Sequence, residues 1–314
     1  MTDAVTERHP VLQGVDFMVG TWAWGDRFVW GFGQDYGKSE IESAFEACLE
    51  AGTTFFDTAE VYGQGKSEQF LGEFIRTSSN ALRIATKFMP YPWRLGRNNL
   101  IRALKSSLKR LGLEKVDLYQ VHQKLPPMQP ETWMDAMVEA LQAGLISAAG
   151  VSNYPRDWME RSQNTLIRSG FRLASNQVEY SLLNRQVEKN GLLQQCLDQG
   201  IALLAYSPLA MGVLTGKYSV EKPVKGIRSG IYNQRTLTRI KPLIQLINKI
   251  GSDHAGKTAA QVALNWVICK GAVPIAGAKT PLQVQQNAGA LGWRLTDEEI
   301  DRLDQMSDQV SRNK

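Results

Sequence analysis

Residues 116–153 read VDLYQVHQKLPPMQPETWMDAMVEALQAGLISAAGVSN. A short apolar run (VDLYQVH) is followed by a Pro-rich connection, an amphipathic stretch (TWMDAMVEALQAG) and a second short apolar run (ISAAGVS). Short runs of this kind suit buried strands and the longer periodic segment suits a helix closed by Gly144, so the stretch predicts one strand–helix–strand unit. The same unit recurs in both directions. Further apolar runs begin near Asp16 (DFMVGT), Thr53 (TTFFDT), Leu82 (LRIATK), Leu173 (LASNQVEY), Ile201 (IALLAYS) and Ala272 (AVPIAGA). Helix-like segments such as SEIESAFEACLEAG (39–52) and GRNNLIRALKSSLKRLG (96–112) lie between them. Eight strands, the first seven at roughly 30-residue intervals, predict an α/β fold: a closed (β/α)8 TIM barrel spanning residues 1–314 as a single domain. An open doubly wound sheet has similar alternation, but no GxGxxG follows the first strand. The glycine cluster GQGKSE (63–68) follows the second strand and lacks the spacing of a Walker loop.

The interval between the seventh and eighth strands is longer, about 70 residues, where a βα unit needs far fewer. It holds a Gly/Pro/Lys-rich loop (207–235) and two helix-like runs, RIKPLIQLINKIG and TAAQVALNWVICKG, hence a long loop and an extra helix. A helix over 281–290 and a last one opening at Thr296 follow. Glu299, three residues after Thr296, completes a capping box, and a short tail is expected after Met306.

Composition excludes several classes. Of the 314 residues, 43% are hydrophobic and 21% charged, as in a globular core-forming chain and unlike a disordered one. No apolar run reaches the ~18 residues of a membrane span, and the opening MTDAVTERHP has no secretory pattern, so a cytoplasmic protein is expected. Cys48, Cys196 and Cys269 are odd in number and far apart, which fits reduced thiols rather than disulfides or zinc. The net charge of +5 is spread among 31 acids without a basic block, so no nucleic-acid partner is expected.

Barrel chemistry sits at the C-terminal strand ends. Those ends carry Asp57 after TTFF, Lys87 after RIAT and His122 after VDLYQV, with Tyr62 in the loop past Asp57. Each alone could be a cap, a rim ion pair, a core histidine or filler. Together, on three successive strands, they describe a cation beside a phenol. A cation at ~4 Å is worth ~4 kcal/mol at an effective dielectric near 20, enough to lower a phenol pKa by roughly three units before burial is counted. Asp57 would hold Lys87 charged, and His122 would orient the reacting oxygen. No HExxH, Ser-His-Asp order or second clustered histidine suggests a metal or acyl-transfer site.

Across almost its whole length the chain resembles the aldo-keto reductase family. The matching motifs are DTAEVYG (57–63), ATK (85–87), DLYQVHQ (117–123), GVSN (150–153), NQVEYS (176–181), AYSPL (205–209), GVLTGKY (212–218) and GAKTPLQVQQNAGAL (277–291), in the family's order and spacing. The resemblance implies an NADPH-dependent carbonyl reductase with Asp57, Tyr62, Lys87 and His122 as catalytic residues and Tyr62 as general acid. It implies that Ser152, Asn153 and Gln177 bind the nicotinamide carboxamide and that the Tyr206 ring stacks on the nicotinamide. Ser207, Leu209, Gly212 and Lys217 would cover the pyrophosphate. Lys279 and Thr280 would reach the adenosine 2'-phosphate, with Gln283, Gln286 and Asn287 on the adenine side. Gly20, Thr21, Trp22, Asp57 and Ala278 would complete the cofactor site. Many relatives carry Arg where Gln283 stands, so NADP preference would rest on Lys279, Thr280 and Lys217, with NAD possible.

For substrate, Trp22, Trp24, Tyr62, Trp93 and His122 are the expected contacts, Trp22 being the best candidate for the wall and Trp30 and Trp93 doubling as rim packing. A short tail suggests an open site, loose selectivity and a small aldehyde or ketone as substrate. No metal and no membrane partner are expected, and the oligomeric state is left open. Two other readings remain: a redox-sensing regulatory protein that keeps the nucleotide-binding barrel, which GVLTGKY and QVQQN also resemble, and a metal-dependent barrel isomerase.

Overall fold

The computed structural model describes residues 7–312. The N-terminal residues 1–6, part of the opening read above for a secretory pattern, and residues 313–314 lie outside them. Eight parallel strands close into a barrel: β1 Met18–Gly20, β2 Phe55–Asp57, β3 Arg83–Phe88, β4 Val116–Val121, β5 Ile146–Ser152, β6 Leu173–Glu179, β7 Ala202–Tyr206 and β8 Val273–Gly277. Closure is made where Gly20 of β1 pairs with both Asp57 of β2 and Gly277 of β8. Helices wrap the outside: α1 Lys38–Glu50, α2 Lys66–Thr77, α3 Arg97–Leu111, α4 Pro130–Gln142, α5 Arg156–Ile167, α6 Gln186–Lys189, α7 Leu192–Asp198, α8 Gln234–Asp253, α9 Ala259–Cys269, α10 Pro281–Ala288 and α11 Asp297–Arg312. The expected barrel and the extra helix between β7 and β8 are therefore present, α8 being the extra one.

Two expectations about the C-terminal part are treated differently by the structure. The capping box forms, with the Thr296 N–H donating to Glu299 Oε2 at 2.9 Å and the Glu299 N–H donating to Thr296 Oγ1 at 3.2 Å. The tail after Met306 is instead continuous helix to Arg312, because Leu303 and Val310 carry the buried stripe past that point.

The strands alternate with period two between two buried clusters. Val19, Phe56, Ile84, Tyr119, Val121 and Ala149 join the large cluster that packs against the helices. Met18, Phe55, Ala85, Leu118, Ala148, Leu204, Val273 and Ile275 form a separate inner cluster, filling the barrel. Leu12 and Val15, from the segment below β1, close that inner cluster at the N-terminal end. Arg8 fastens the segment by donating to the carbonyls of Val15 (3.1 Å) and Gly271 (2.8 Å). Two residues further along the strands the inner positions become Asp57, Lys87 and Gln120, and this change of chemistry creates the upper end. The three cysteines are free thiols, and among the described residues no helix is long and apolar enough to cross a membrane.

Candidate functional site

A cleft of about 870 Å³ opens at the C-terminal end of the barrel. Its deepest wall is the corner where β2, β3 and β4 end. Asp57 and Lys87 are buried there, and Lys87 Nζ lies 2.5 Å from Asp57 Oδ1. The same ammonium donates to the Thr58 carbonyl (2.8 Å) and to Tyr62 Oη (3.2 Å). Tyr62 reaches the corner on a tight turn, Tyr62–Gly65, whose central residues Gly63 and Gln64 are left-handed. Gly63 in that turn has φ +55°, and a Cβ on it would sit 2.8 Å from the Gly25 carbonyl oxygen, so the turn needs glycine. The His122 ring stands edge-on to Tyr62 at 5.7 Å, and the Trp22 ring stacks with Tyr62 at 6.0 Å.

The electrostatics of this corner are set by burial as much as by charge. Burial works against the Lys87 ammonium, but Asp57 and the Tyr62 hydroxyl outweigh it and hold its pKa above the ordinary lysine value. Burial, and secondarily Lys87, push His122 down to about 3, so its imidazole is neutral at physiological pH. His122 Nδ1 is buried without a hydrogen-bond partner among the described residues. A buried unpaired N–H is the costlier alternative, so the proton belongs on Nε2. The expected acidification of Tyr62 is not what the corner produces. Burial raises its pKa above the ordinary phenol value; Lys87 opposes this, and Asp57 adds to it. The Coulomb attraction is real, but desolvation of a phenolate here exceeds it.

A side-chain chain runs round the floor. Asn153, in the left-handed conformation at φ +59°, donates to the His122 carbonyl (3.2 Å) and to Ser152 Oγ (3.0 Å), while its Oδ1 accepts from Tyr206 Oη (3.1 Å). Ser152 Oγ donates to the Gln177 carbonyl at 2.8 Å, and Gln177 Nε2 donates to Asp57 Oδ2 at 2.9 Å. Gln177 lies two residues inside β6 rather than at its end.

Part of the cleft lining is cationic. Lys217, Arg228 and Lys279 all line it, with Asp35 among them. Burial, then repulsion from Arg228 and Lys217, lowers the pKa of Lys279. Its ammonium lies 4.1 Å from the Tyr36 ring centre, and Arg228 lies 5.1 Å from that of Trp30. Arg228 also donates to the Met211 carbonyl at 3.1 Å, tying the turn Gly226–Gly230 to the segment after β7. In that segment Ser207, Ala210 and Met211 have φ between +48° and +54°. Strained non-glycine backbone concentrated in one place beside a cleft is a mark of a binding site.

Most residues singled out from the sequence meet in this cleft. Gly20, Trp22, Asp57, Tyr62, His122, Ser152, Asn153, Gln177, Tyr206, Ser207, Leu209, Gly212, Lys217, Lys279, Gln283, Gln286 and Asn287 line it, with Lys87 directly behind. Others do not. Trp24 is fully buried between Phe56 and Phe74, its indole N–H donating to the Ala278 carbonyl at 2.9 Å, so neither Trp24 nor Ala278 is a cleft residue. Trp93 is 73% exposed and stacked on Tyr91 at 4.7 Å, outside the cleft. Thr21 is buried against Ser67 and the Asp57 carbonyl. Thr280 caps α10 through the Gln283 N–H instead of lining the cleft, and Gln283 spends its own Oε1 on the Lys279 N–H at 2.8 Å. Sequence reading missed Arg228, Trp30 as a lining residue, Asp35 and Tyr218; the basic loop 207–235 was the available signal for Arg228.

The geometry has counterparts. A sequence profile described as the aldo/keto reductase family matches residues 16–308. A pyridoxal reductase of Arabidopsis thaliana, described as chloroplastic, is 41% identical over 293 residues, covering 89% of this chain and 80% of the relative. A glycerol dehydrogenase from Gluconobacter oxydans superposes with a TM-score of 0.85 at 25% identity, covering 99% of this chain and 97% of the other. An aldo-keto reductase from Klebsiella pneumoniae, solved in complex with NADPH, gives a TM-score of 0.76 at 28% identity over 98% of this chain and 96% of its own.

Proposed function

The chain belongs to the aldo-keto reductase family of oxidoreductases, and on that premise we propose that it reduces small aldehydes and ketones with NADP(H), Tyr62 giving the proton. The observation that carries the reading is the Lys87 ammonium placed 3.2 Å from Tyr62 Oη and 2.5 Å from Asp57 in the wall of one cleft. The donor set suits a phosphorylated dinucleotide. Three cations stand together in the lining, amide and hydroxyl groups make up much of the rest, and the volume exceeds what a small carbonyl compound alone would fill. Lys217, Arg228 and Lys279 would hold its phosphates, and Ser152, Asn153, Gln177 and Tyr206 its nicotinamide end. When bound, the nicotinamide supplies the hydride.

The chain's own groups do the rest. His122 Nε2–H donates to the substrate oxygen and fixes where it sits. Tyr62 holds its proton at neutral pH, because burial raises its pKa, and gives it up as negative charge develops on that oxygen. A forming alkoxide is a far stronger base than a phenolate, so position matters more than acid strength. Lys87 stabilises the phenolate left behind, and Asp57 keeps Lys87 charged and in place. Trp22, stacked beside Tyr62, offers a flat apolar wall for the substrate body. Because the Arabidopsis relative is described as a pyridoxal reductase, planar aromatic aldehydes, pyridoxal among them, are the substrates to try first.

Replacing Tyr62 with Phe should lower turnover by about 10²–10⁴-fold while NADPH binding, read by fluorescence titration, stays within about twofold, a change under ~0.5 kcal/mol. Near-normal turnover of an aldehyde panel by Tyr62→Phe would overturn the assignment.

A further inference from the structure

Gln120 lies on β4 two residues before His122, fully buried in the barrel interior, and does not line the cleft. Its Nε2 is 3.4 Å from Asp57 Oδ2, the same oxygen that accepts from Gln177 Nε2 at 2.9 Å. Its Oε1 accepts from Ser175 Oγ at 3.3 Å. A carboxylate only accepts, so both amides must turn their NH2 groups toward Asp57, and Ser175 takes the oxygen that Gln120 is left with. Room for this comes from Gly150 on β5, where a Cβ would overlap Ser175 Oγ and lie 2.9 Å from Gln120 Cγ. Directly below are Leu118 and Phe55, against which a buried amide is costly unless its bonds are used.

We propose that Gln120 is a positioning residue: together with Gln177 it fixes the Asp57 carboxylate that holds Lys87 against Tyr62. The proposal rests on the reading of Tyr62 as proton donor. Gln120 reaches neither substrate nor cofactor, so it acts through Asp57 alone, in two ways. It pins one carboxylate oxygen so that the other stays aimed at Lys87. Its N–H dipole also offsets part of the Asp57 charge, which bears on how tightly Lys87 and Tyr62 keep their protons. The titratable groups facing this corner are Asp57, Tyr62, Lys87, His122 and Tyr206; Gln177 and Ser175 are neutral.

The test is Gln120→Leu, with Ser175→Ala as a milder second variant that loosens the amide without removing it. For Gln120→Leu, kcat should fall several-fold while KM for NADPH stays within about twofold. With Asp57 less offset, the alkaline limb of kcat for carbonyl reduction should move to higher pH by about half a unit or more. Ser175→Ala should move it the same way, by less. A crystal structure of Gln120→Leu should show the Asp57 carboxylate turned from its present plane. Superimposable pH profiles, or an unmoved carboxylate, overturn the proposal. Failure of the function itself looks different: the unmodified protein would not reduce carbonyl compounds, and the crystal structure would still judge Gln120.

Discussion

The two ends of the barrel interior are built from the same strands and differ in almost everything else. At the lower end Phe55, Ala85 and Leu118 fill an apolar layer closed by Leu12 and Val15. Two residues up each strand, ~7 Å away at the usual rise, stand Asp57, Lys87 and Gln120, equally buried but ionic and amide. The lower layer needs only shape and volume. The upper layer needs every polar atom matched: Lys87 has three partners, and Asp57 uses both oxygens. A buried ion pair is weak evidence for stability, so the upper layer is best understood as something the lower layer makes affordable.

The most forceful way to break this contrast is to treat both layers alike. Lys87→Met leaves Asp57 buried without its cation and should destabilise the fold by about 3–5 kcal/mol; with the phenolate unsupported, turnover should fall by at least about a hundredfold. Adding Asp57→Leu removes the unpaired charge but also the acceptor of Gln120 and Gln177, so it should restore part of the stability and none of the activity. Phe55→Ala below should cost a similar 3–5 kcal/mol through its cavity yet leave kcat of the folded protein nearly unchanged. Urea melts alongside turnover assays separate the outcomes. If the double variant stays as unstable as Lys87→Met, the upper layer is part of what holds the barrel together.

These layers were unequally visible in the amino-acid sequence. An apolar run that stops on a charge is plain in TTFFD, where the strand also ends, and in RIATK, although β3 itself continues one residue to Phe88. Gln120 was hidden because it lies inside its run rather than at the end. Trp22 and Trp24 look equivalent in GTWAWG, but β1 stops at Gly20 and a turn closes with the Trp24 N–H on the Thr21 carbonyl (2.8 Å), which sends Trp24 into the core. Arg228 belongs to a turn with no periodic signal, and only the folded path of the long β7–β8 connection brings it over Trp30. The pKa of Tyr62 was misjudged for a related reason. Sequence shows which charges are near, whereas desolvation is a property of everything packed around them.

A smaller effect is expected from the cationic side, which is half-buried at Arg228 and Lys279 and exposed at Lys217, and whose groups are less tightly paired than those of the catalytic corner. Arg228→Met removes one of three cations and the tie to the Met211 carbonyl. NADPH affinity should drop about 10–100-fold, as for loss of one charge-assisted contact, with kcat at saturating NADPH within about threefold, since the acid corner is untouched. Titration in low and high salt checks this, because the loss should shrink as salt rises. An equal loss in kcat would mean that the two sides of the cleft are one unit.

The smallest effect expected is at Trp93, and it tests where the site ends. Trp93 and Tyr91 stack with planes 4° apart, and the pair follows β3 only six residues past Lys87, close enough in sequence to look like pocket wall. Its exposure says otherwise: a side chain that is 73% exposed and stacked on an outer neighbour has little surface left to offer a substrate in the cleft. Trp93→Ala should therefore leave kcat/KM for aromatic aldehydes within about twofold, under ~0.5 kcal/mol of transition-state stabilisation, whereas Trp22→Ala, which strips the ring stacked beside Tyr62, should raise KM for the same compounds. Were Trp93→Ala the more damaging of the two, the loop after β3 would have to fold inward when substrate binds, and the substrate wall would belong to a moving segment instead of the fixed end of the barrel.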